Sequence, residues 1–258
     1  MREYTFTTGD FMTFITLLLC LSLERFVHKG NLLARFNWFE AYVAKINQLT
    51  QNQTWTQYHY TSLLLVVLPI VIPVAIIYYL SAFFIHGLLA FLIGAFVLFY
   101  CLGPLNIYKT EKVHQPIFWQ ANASLFAIIF WFALLGPIAA LVYRLVERSA
   151  HIHASYPALG KAAGFVRAII DWLPVRLFSI LCALAGNFMR TSQVLLNYLL
   201  KSIEFNRELI EKSGRIALGL DEVTELSSED YPQALSLIDR SLIIFLIIVF
   251  AVTLGVLL

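Results

Sequence analysis

The sequence predicts an all-α, polytopic integral membrane protein with about four transmembrane helices and additional short re-entrant or interfacial helices. Hydrophobic residues make up 60% of the 258 residues and charged residues only 13%, and the mean hydropathy is +0.76. A soluble domain carries about 25% charged residues, so this composition excludes that class. The formal net charge of +2 is too small to indicate a nucleic-acid partner. We therefore expect residues 1–258 to form a single membrane domain whose main partner is the lipid bilayer.

The first apolar runs predict one membrane-associated helix and a pair of spans. The run over residues 11–23 is short for an independent crossing, so we predict a membrane-associated helix there. The runs over 62–80 and 83–102 are long enough to cross a bilayer, and the two residues between them predict an antiparallel hairpin. Gly87 and Gly94 are seven residues apart on one helix face, which favours close helix packing.

The central apolar stretch, residues 126–146, predicts a third transmembrane helix with a kink or break at its middle. Gly136 and Pro137 stand there, and a proline inside a helix removes one hydrogen bond and clashes with the preceding turn. Two alternatives follow: a kinked span, or a re-entrant pair of half-helices whose break faces other protein rather than lipid.

The remainder of the chain predicts a polar and amphipathic region over 149–239 and a last transmembrane helix over 241–258. The apolar run 177–189 inside that region is too short for a span by itself. Apolar residues share one face from Val194 to Ile210, which predicts an amphipathic helix, and Gly214 is a suitable stop for it.

Basic residues flank the long polar region on both sides, with Arg144, Arg148 and Lys161 before or within its start and Arg240 after its end. Cytoplasmic loops of membrane proteins carry an excess of lysine and arginine. The pattern therefore predicts that region 149–239 is cytoplasmic.

The sequence contains none of the usual phosphate-loop, dinucleotide-binding, zinc-protease or nucleophile-elbow motifs. The cysteines Cys20, Cys101 and Cys182 are isolated in or beside apolar runs, which predicts buried small side chains rather than disulfides or metal ligands. The spacing of His151 and His153 is more typical of a solvated loop than of a metal site. We expect no cofactor and no metal.

The segment DWLPVRL, residues 171–177, contains Asp171 before and Arg176 after a proline, at the start of an apolar run. Pro174 is expected to force Leu173 out of the helical region, so that the two charged residues lie on different short elements. We hypothesise that they form a buried pair; the alternative is an exposed interfacial anchor.

Three segments together resemble the AmpE family of inner-membrane proteins, which are named as modulators of inducible β-lactamase expression in Gram-negative bacteria. They are FWFALLGPIAALVYRL over 130–145, DWLPVRL over 171–177, and the amino-terminal run closed by Glu24 and Arg25. The same segments are more remotely similar to the CobD/CbiB family, membrane enzymes that form an amide in cobalamin biosynthesis.

The CobD/CbiB motifs transfer to this sequence only in part. The positions that persist are Asn122, Pro174, Arg176 and Leu177. The positions where that family carries acids are occupied by Ala121, Leu125, Arg167 and Ala168, and its N-T-x-D motif is Glu147-Arg148-Ser149-Ala150. Since nucleotide or metal chemistry needs those carboxylates, the resemblance implies the fold without that reaction.

The resemblance thus implies a multi-pass, non-catalytic regulatory or signalling protein of the Gram-negative inner membrane, linked to β-lactamase induction, antibiotic resistance and envelope stress. Its expected partners are a protein or a small envelope-derived ligand. A CobD/CbiB-type enzyme and a membrane-complex or transport subunit remain alternatives. The candidate polar site comprises Asn122, Arg144, Glu147, Arg167, Asp171 and Arg176.

Overall fold

The structure, a computed structural model, describes residues 15–20, 36–50, 59–82, 88–102, 116–152, 155–221, 226–227 and 229–257. All regular secondary structure in these ranges is helical, which confirms the all-α prediction. The helices are α1 (residues 15–20), α2 (Asn37–Thr50), α3 (His59–Ala82), α4 (Leu88–Leu102), α5 (Ile117–Ala121), a π-helical turn (Asn122–Phe126), α6 (Ala127–Leu135), α7 (Pro137–His151), α8 (Pro157–Ala185), α9 (Phe188–Tyr198), a 3₁₀ turn (Ile203–Phe205), α10 (Asn206–Ala217) and α11 (Tyr231–Leu257).

Four helical segments of the described chain are long and apolar enough to cross a membrane: Tyr60–Ser81, Ile117–Leu135, Pro157–Ala185 and Tyr231–Gly255. Large apolar side chains remain exposed along α3 at every fourth residue, namely Leu64, Leu68, Ile72 and Ile76. Such a continuous exposed stripe suits contact with lipid rather than water. These helices make the chain a membrane protein. The run predicted over 83–102 is described only from Leu88, as a 15-residue apolar helix.

The central stretch is interrupted rather than bent. α6 ends at Leu135, Gly136 has φ +84°, and α7 begins at Pro137. Only glycine adopts such a positive φ readily, and proline suits the first position of a helix because its φ is already helical. The helix predicted over 126–146 is therefore two elements, and its apolar half is continuous with residues from Ile117 onwards.

α8 extends for 29 residues through the region that we predicted to be polar, and it includes most of the apolar run 177–189. Pro174 lies inside this helix, so the prediction that Leu173 leaves the helical region is wrong. Pro174 has no N–H, so the carbonyl oxygen of Ile170 loses its helical donor. Elsewhere in the same helix, Asn206 Nδ2 donates to the carbonyl oxygen of Ala168 at 2.8 Å.

The structure divides what the sequence presents as one membrane domain into two compact units. The amino-terminal unit comprises the described residues within 8–104 and 128–167, and the carboxy-terminal unit those within 105–127 and 168–258. The boundary falls inside α8, so composition offers no linker that would mark it.

In the amino-terminal unit, α7 packs against both α3 and α4, and α3 packs against α4 as the predicted hairpin requires. Gly94 is buried, and a Cβ atom placed there would lie 3.8 Å from Pro137 and from Tyr78. That distance is an ordinary van der Waals contact, so the packing at this position does not require a glycine. Gly87 lies outside the described residues, as do Glu24 and Arg25.

In the carboxy-terminal unit, the core is aromatic. Phe126 stacks on Phe178 at 4.7 Å between ring centroids and meets Phe245 edge-on at 5.0 Å. Gly214 is not the predicted stop, since α10 continues to Ala217. A Cβ atom at residue 214 would overlap the ring of Phe118. Close packing of α10 on α5, rather than chain reversal, explains this glycine.

The helix predicted from Val194 to Ile210 is likewise two elements. α9 ends at Tyr198, a 3₁₀ turn follows, and α10 begins at Asn206. The apolar residues keep a helical period across the interruption, so the pattern alone cannot locate the turn. The last helix begins at Tyr231, ten residues before the predicted start of the span, and Pro232 lies in its first turn.

Candidate functional site

A row of ionisable side chains follows one face of α7. Arg144, Glu147 and His151 are three and four residues apart, a spacing that brings helical side chains together. Arg144 Nη1 donates to Glu147 Oε2 at 2.9 Å, and His151 Nε2 lies 2.7 Å from Glu147 Oε1. Arg144 and Glu147 are fully buried, whereas 54% of the His151 side chain is exposed. Together with Arg148 we call this group the α7 cluster.

Arg148 adds a second guanidinium to the cluster. Its Nε lies 3.8 Å from Glu147 Oε2. The Cζ atoms of Arg144 and Arg148 lie 5.6 Å and 5.4 Å from the centroid of the Phe36 ring, which is itself buried. Cation–π attraction at these distances favours placing both guanidiniums beside one aromatic ring.

The local charges decide the ionisation of Glu147. Burial alone would raise the pKa of this carboxyl, but Arg144, the hydrogen bond and charge of His151, and then Arg167 lower the pKa to about 2. Burial and the neighbouring charge of Arg144 lower the pKa of Arg148. Glu147 is therefore an anion at neutral pH, and the predicted site residue Arg167, only 8% exposed, lies close enough to act on it.

The α7 cluster leaves donors without a partner. Among the described residues, Arg144 Nε, Arg144 Nη2 and Arg148 Nε have no hydrogen-bond acceptor. An unsatisfied buried donor costs about 1 to 3 kcal/mol, and more when it belongs to a charged group. Native proteins keep few such groups, so each one needs an explanation.

A second buried polar contact lies in the carboxy-terminal unit. Asn122 Nδ2 donates to Asp171 Oδ1 at 3.2 Å, and both residues are fully buried. Asn122 begins the π-helical turn, an element that is frequent at functional sites. Within the described chain its Oδ1 has no hydrogen-bond partner. The predicted site residue Asn122 is thus placed beside Asp171 by a local widening of the helix.

Arg176 is buried, as we hypothesised, but its contacts are different from the predicted ones. Its guanidinium donates to the carbonyl oxygens of Leu199, Trp172 and Lys201 and to Asn206 Oδ1, at 2.6 to 2.9 Å. It also lies 4.1 Å over the Trp172 ring. The hypothesised pairing of Arg176 with Asp171 is therefore wrong. Arg176 instead fixes the turn after α9, whose free carbonyl groups it satisfies.

Two polar residues of the carboxy-terminal unit were not anticipated from the sequence. Asn206, at the start of α10, accepts from Arg176 Nη1 and donates to the carbonyl oxygen of Ala168, so it connects α10 to α8. Glu211 is 6% exposed, and its Oε1 accepts from the backbone N–H of Trp119 at 2.7 Å. Burial raises the pKa of Glu211. The amphipathic pattern places this glutamate among the charged residues of a polar helix face, so the pattern gives no signal of its burial.

The described residues include no group of three histidine, cysteine or acidic side chains that could hold a metal ion. The three cysteines, all within the described residues, form no disulfide and are buried. His153 lies outside the described residues, whereas His151 binds Glu147 rather than standing in a solvated loop.

The structure therefore brings together two pairs of the six predicted site residues. Arg144 contacts Glu147 in the amino-terminal unit, where Arg167 also lies, and Asn122 contacts Asp171 in the carboxy-terminal unit, which also contains Arg176. No protein-family model, curated protein or solved structure matches this chain. The geometry of the two contacts is thus the basis for assigning a function.

Proposed function

We propose that this chain is a multi-pass regulatory or signalling protein of the Gram-negative inner membrane, of the AmpE type. It acts by recognising a ligand or partner rather than by catalysis, and it is linked to β-lactamase induction and envelope stress. The observation that carries the proposal is the fully buried Arg144–Glu147 pair, at 2.9 Å, with donors left over on the arginine.

The physical reason is the cost of burying these charges. Removing an ion from water costs several kcal/mol, and apolar residues of similar size are often as stabilising as a buried ion pair. Ionisable residues inside a membrane protein are therefore functional candidates by default. A cluster that ends on the half-exposed His151 gives the interior a polar route to the surface. This arrangement suits recognition of a polar group, and it lacks the paired carboxylates that the related enzymes use.

The proposal is tested by deleting the gene in a host with an inducible β-lactamase and measuring enzyme activity against inducer concentration. We expect the deletion to shift the induction curve and plasmid-borne wild-type protein to restore it. An induction curve that is unchanged by the deletion would overturn the regulatory proposal.

A second candidate is a membrane enzyme of the CobD/CbiB type, and one observation favours it. Asn122, which matches an asparagine of that family's motif, binds the buried Asp171 at 3.2 Å on a π-helical turn. The acids expected at residues 121, 125, 167 and 168 are missing, so we expect no activity. The chain should fail to support growth of a cobalamin-requiring strain that lacks its own enzyme. Growth dependent on this gene would favour the enzyme.

A further inference from the structure

The helices α9 and α10 form a hairpin that lies alongside α8 within the carboxy-terminal unit. At one end, the N–H of Asn187 donates to the carbonyl oxygen of Ala217 at 3.0 Å, so the start of α9 meets the end of α10 beside the end of α8. At the other end, Arg176 binds the carbonyl oxygens of Leu199 and Lys201. Since a helix rises about 1.5 Å per residue, Arg176 lies roughly 14 Å before the end of α8. The hairpin therefore runs back along α8 and returns.

The last helix, α11, gives the depth of this hairpin in the membrane. It is antiparallel to α8, because Ser241 Oγ donates to Cys182 Sγ at 3.6 Å and, further along both helices, Phe178 and Phe245 contact the same aromatic ring. The apolar run of α11 begins at residue 241, so the hydrocarbon region reaches at least the level of Cys182. Arg176 lies about 9 Å below that level along α8. The turn that Arg176 binds is therefore at membrane depth.

The two ends of the hairpin expose different kinds of side chain. Along α9, Met189, Leu196 and Leu200 are 77%, 81% and 89% exposed and follow one another at helical spacing. Such an apolar stripe suits contact with lipid. The turn between the helices instead exposes the charged residues Lys201 and Glu204. The hairpin is thus apolar along one exposed side and charged at its tip, which we define as residues 199–205.

The exposed side of α10 adds an ion pair to the charged tip. Lys212 Nζ lies 2.9 Å from Glu208 Oε1, and the hydroxyl of Tyr198 contacts both side chains. The Glu208 side chain is 41% exposed. A charged side chain at the centre of a bilayer costs about 2.5 to 3.5 kcal/mol even on the lower scales. Several such groups on one surface therefore exclude lipid from the tip and from this side of α10.

We propose that α9 and α10 form a re-entrant hairpin whose tip and charged α10 side border a water-filled vestibule within the membrane region. The vestibule opens on the side where α8 ends and α11 begins. Non-helical backbone at membrane depth is tolerated only where it is buried in protein or lines such a cavity, and the turn after α9 is backbone of this kind. The vestibule gives water and small hydrated solutes a route to the level of Arg176. This inference is independent of the proposed function, which rests on the α7 cluster.

The test measures how fast introduced cysteines react with a charged, membrane-impermeant maleimide, in right-side-out and inverted vesicles that contain the full chain. Ser202→Cys changes one atom of an exposed side chain at the tip, so the fold should persist. Leu173→Cys on α8 and Ile247→Cys on α11 are matched controls, because both residues are exposed near the depth of the tip but on apolar surfaces. Ser236→Cys, exposed before the apolar run of α11, marks the mouth of the vestibule. Wild type gives the background, since its own cysteines are buried.

We expect Ser202→Cys to react about tenfold or more faster than either matched control, because only a hydrated thiol ionises readily to the reactive thiolate. Ser202→Cys should react from the same side of the membrane as Ser236→Cys. All four variants should react fully after unfolding in dodecyl sulfate, which confirms that equal amounts are compared.

Equal rates for Ser202→Cys and the two matched controls would overturn the proposal, as would reaction of Ser202→Cys from the side opposite to Ser236→Cys. Protection of Ser202→Cys in membranes, followed by reaction in mild detergent, would also overturn it and would assign the charged surface to a protein partner. These measurements involve no β-lactamase. A failure here therefore contradicts the vestibule alone, whereas an unchanged induction curve contradicts the proposed function.

Discussion

The ionisation of Glu147 determines how the α7 cluster responds to acid. The pKa of this buried carboxyl is about 2 in the folded protein, against 4.5 for an ordinary glutamate, because Arg144, His151 and Arg167 outweigh the effect of burial. A lowered folded-state pKa contributes stability that is fully present above about pH 4.5 and is lost as the pH falls towards 2. At about 1.4 kcal/mol per pKa unit, the contribution is on the order of 3 kcal/mol.

We therefore predict that the melting temperature of the purified protein falls between about pH 4.5 and pH 2, and that Glu147→Gln reduces this dependence. The variant should also be less stable at neutral pH, because it leaves Arg144 buried without its anion. Glu204→Gln is the control, because it removes an exposed carboxylate in the 3₁₀ turn, away from the α7 cluster. A pH dependence that is identical in wild type and Glu147→Gln would contradict this assignment.

At the scale of single residues, the six candidate polar residues share burial, whereas their contacts differ from those that we hypothesised. All six candidate residues are buried, from Asn122 to Arg176. The contacts could not be predicted in the same way. Arg176 donates to a carbonyl group of the turn after α9 and to the side chain of Asn206 in α10. The environment of Arg176 therefore exists only after these distant segments have folded.

At the scale of elements, Gly136 determines where the central stretch divides. Its φ of +84° is strained for any residue with a Cβ atom, although no atom other than those of the glycine and its two chain neighbours lies within 4 Å of the position that this Cβ would occupy. Since its ψ is −171°, Gly136 lies in a region that essentially only glycine adopts, and we predict that Gly136→Ala lowers the free energy of unfolding by roughly 1 to 3 kcal/mol through backbone strain alone. The measurement is thermal unfolding in detergent.

Gly164→Ala is the matched control for this substitution. Gly164 lies within α8, also has open space around its Cβ position, and has no positive φ. Alanine should therefore be neutral there or stabilising by about 0.5 to 1 kcal/mol. Equal melting temperatures for Gly136→Ala and Gly164→Ala would contradict the proposed role of the backbone at residue 136.

Helix boundaries show where pattern reasoning fails in this chain. The run 177–189 is short by itself, because Arg167, Asp171 and Arg176 interrupt the apolar sequence before it. These charges are buried inside α8, so the helix is long and apolar on its exposed face. Hydropathy along the chain cannot distinguish charges that face protein from charges that face water.

At the scale of the whole molecule, the flanking charges predict the orientation in the membrane. Arg144, Arg148 and Lys161 surround the junction between α7 and α8. We predict that a reporter fused near Ala158 is cytoplasmic, because positively charged flanks are retained on that side. Fusions to alkaline phosphatase and to green fluorescent protein measure this directly. Alkaline phosphatase activity at this position would reverse the orientation.

The central claim is that the buried charge of the α7 cluster carries a regulatory function. The most direct measurement is β-lactamase induction in the deletion strain carrying wild type, Arg144→Lys or Arg207→Gln, at equal protein levels in the membrane fraction. We predict that Arg207→Gln, which removes a charge at an exposed position, restores the wild-type induction curve. The strain that carries Arg144→Lys should show the same induction curve as the deletion strain without a plasmid-borne copy. Full restoration by Arg144→Lys would contradict the claim.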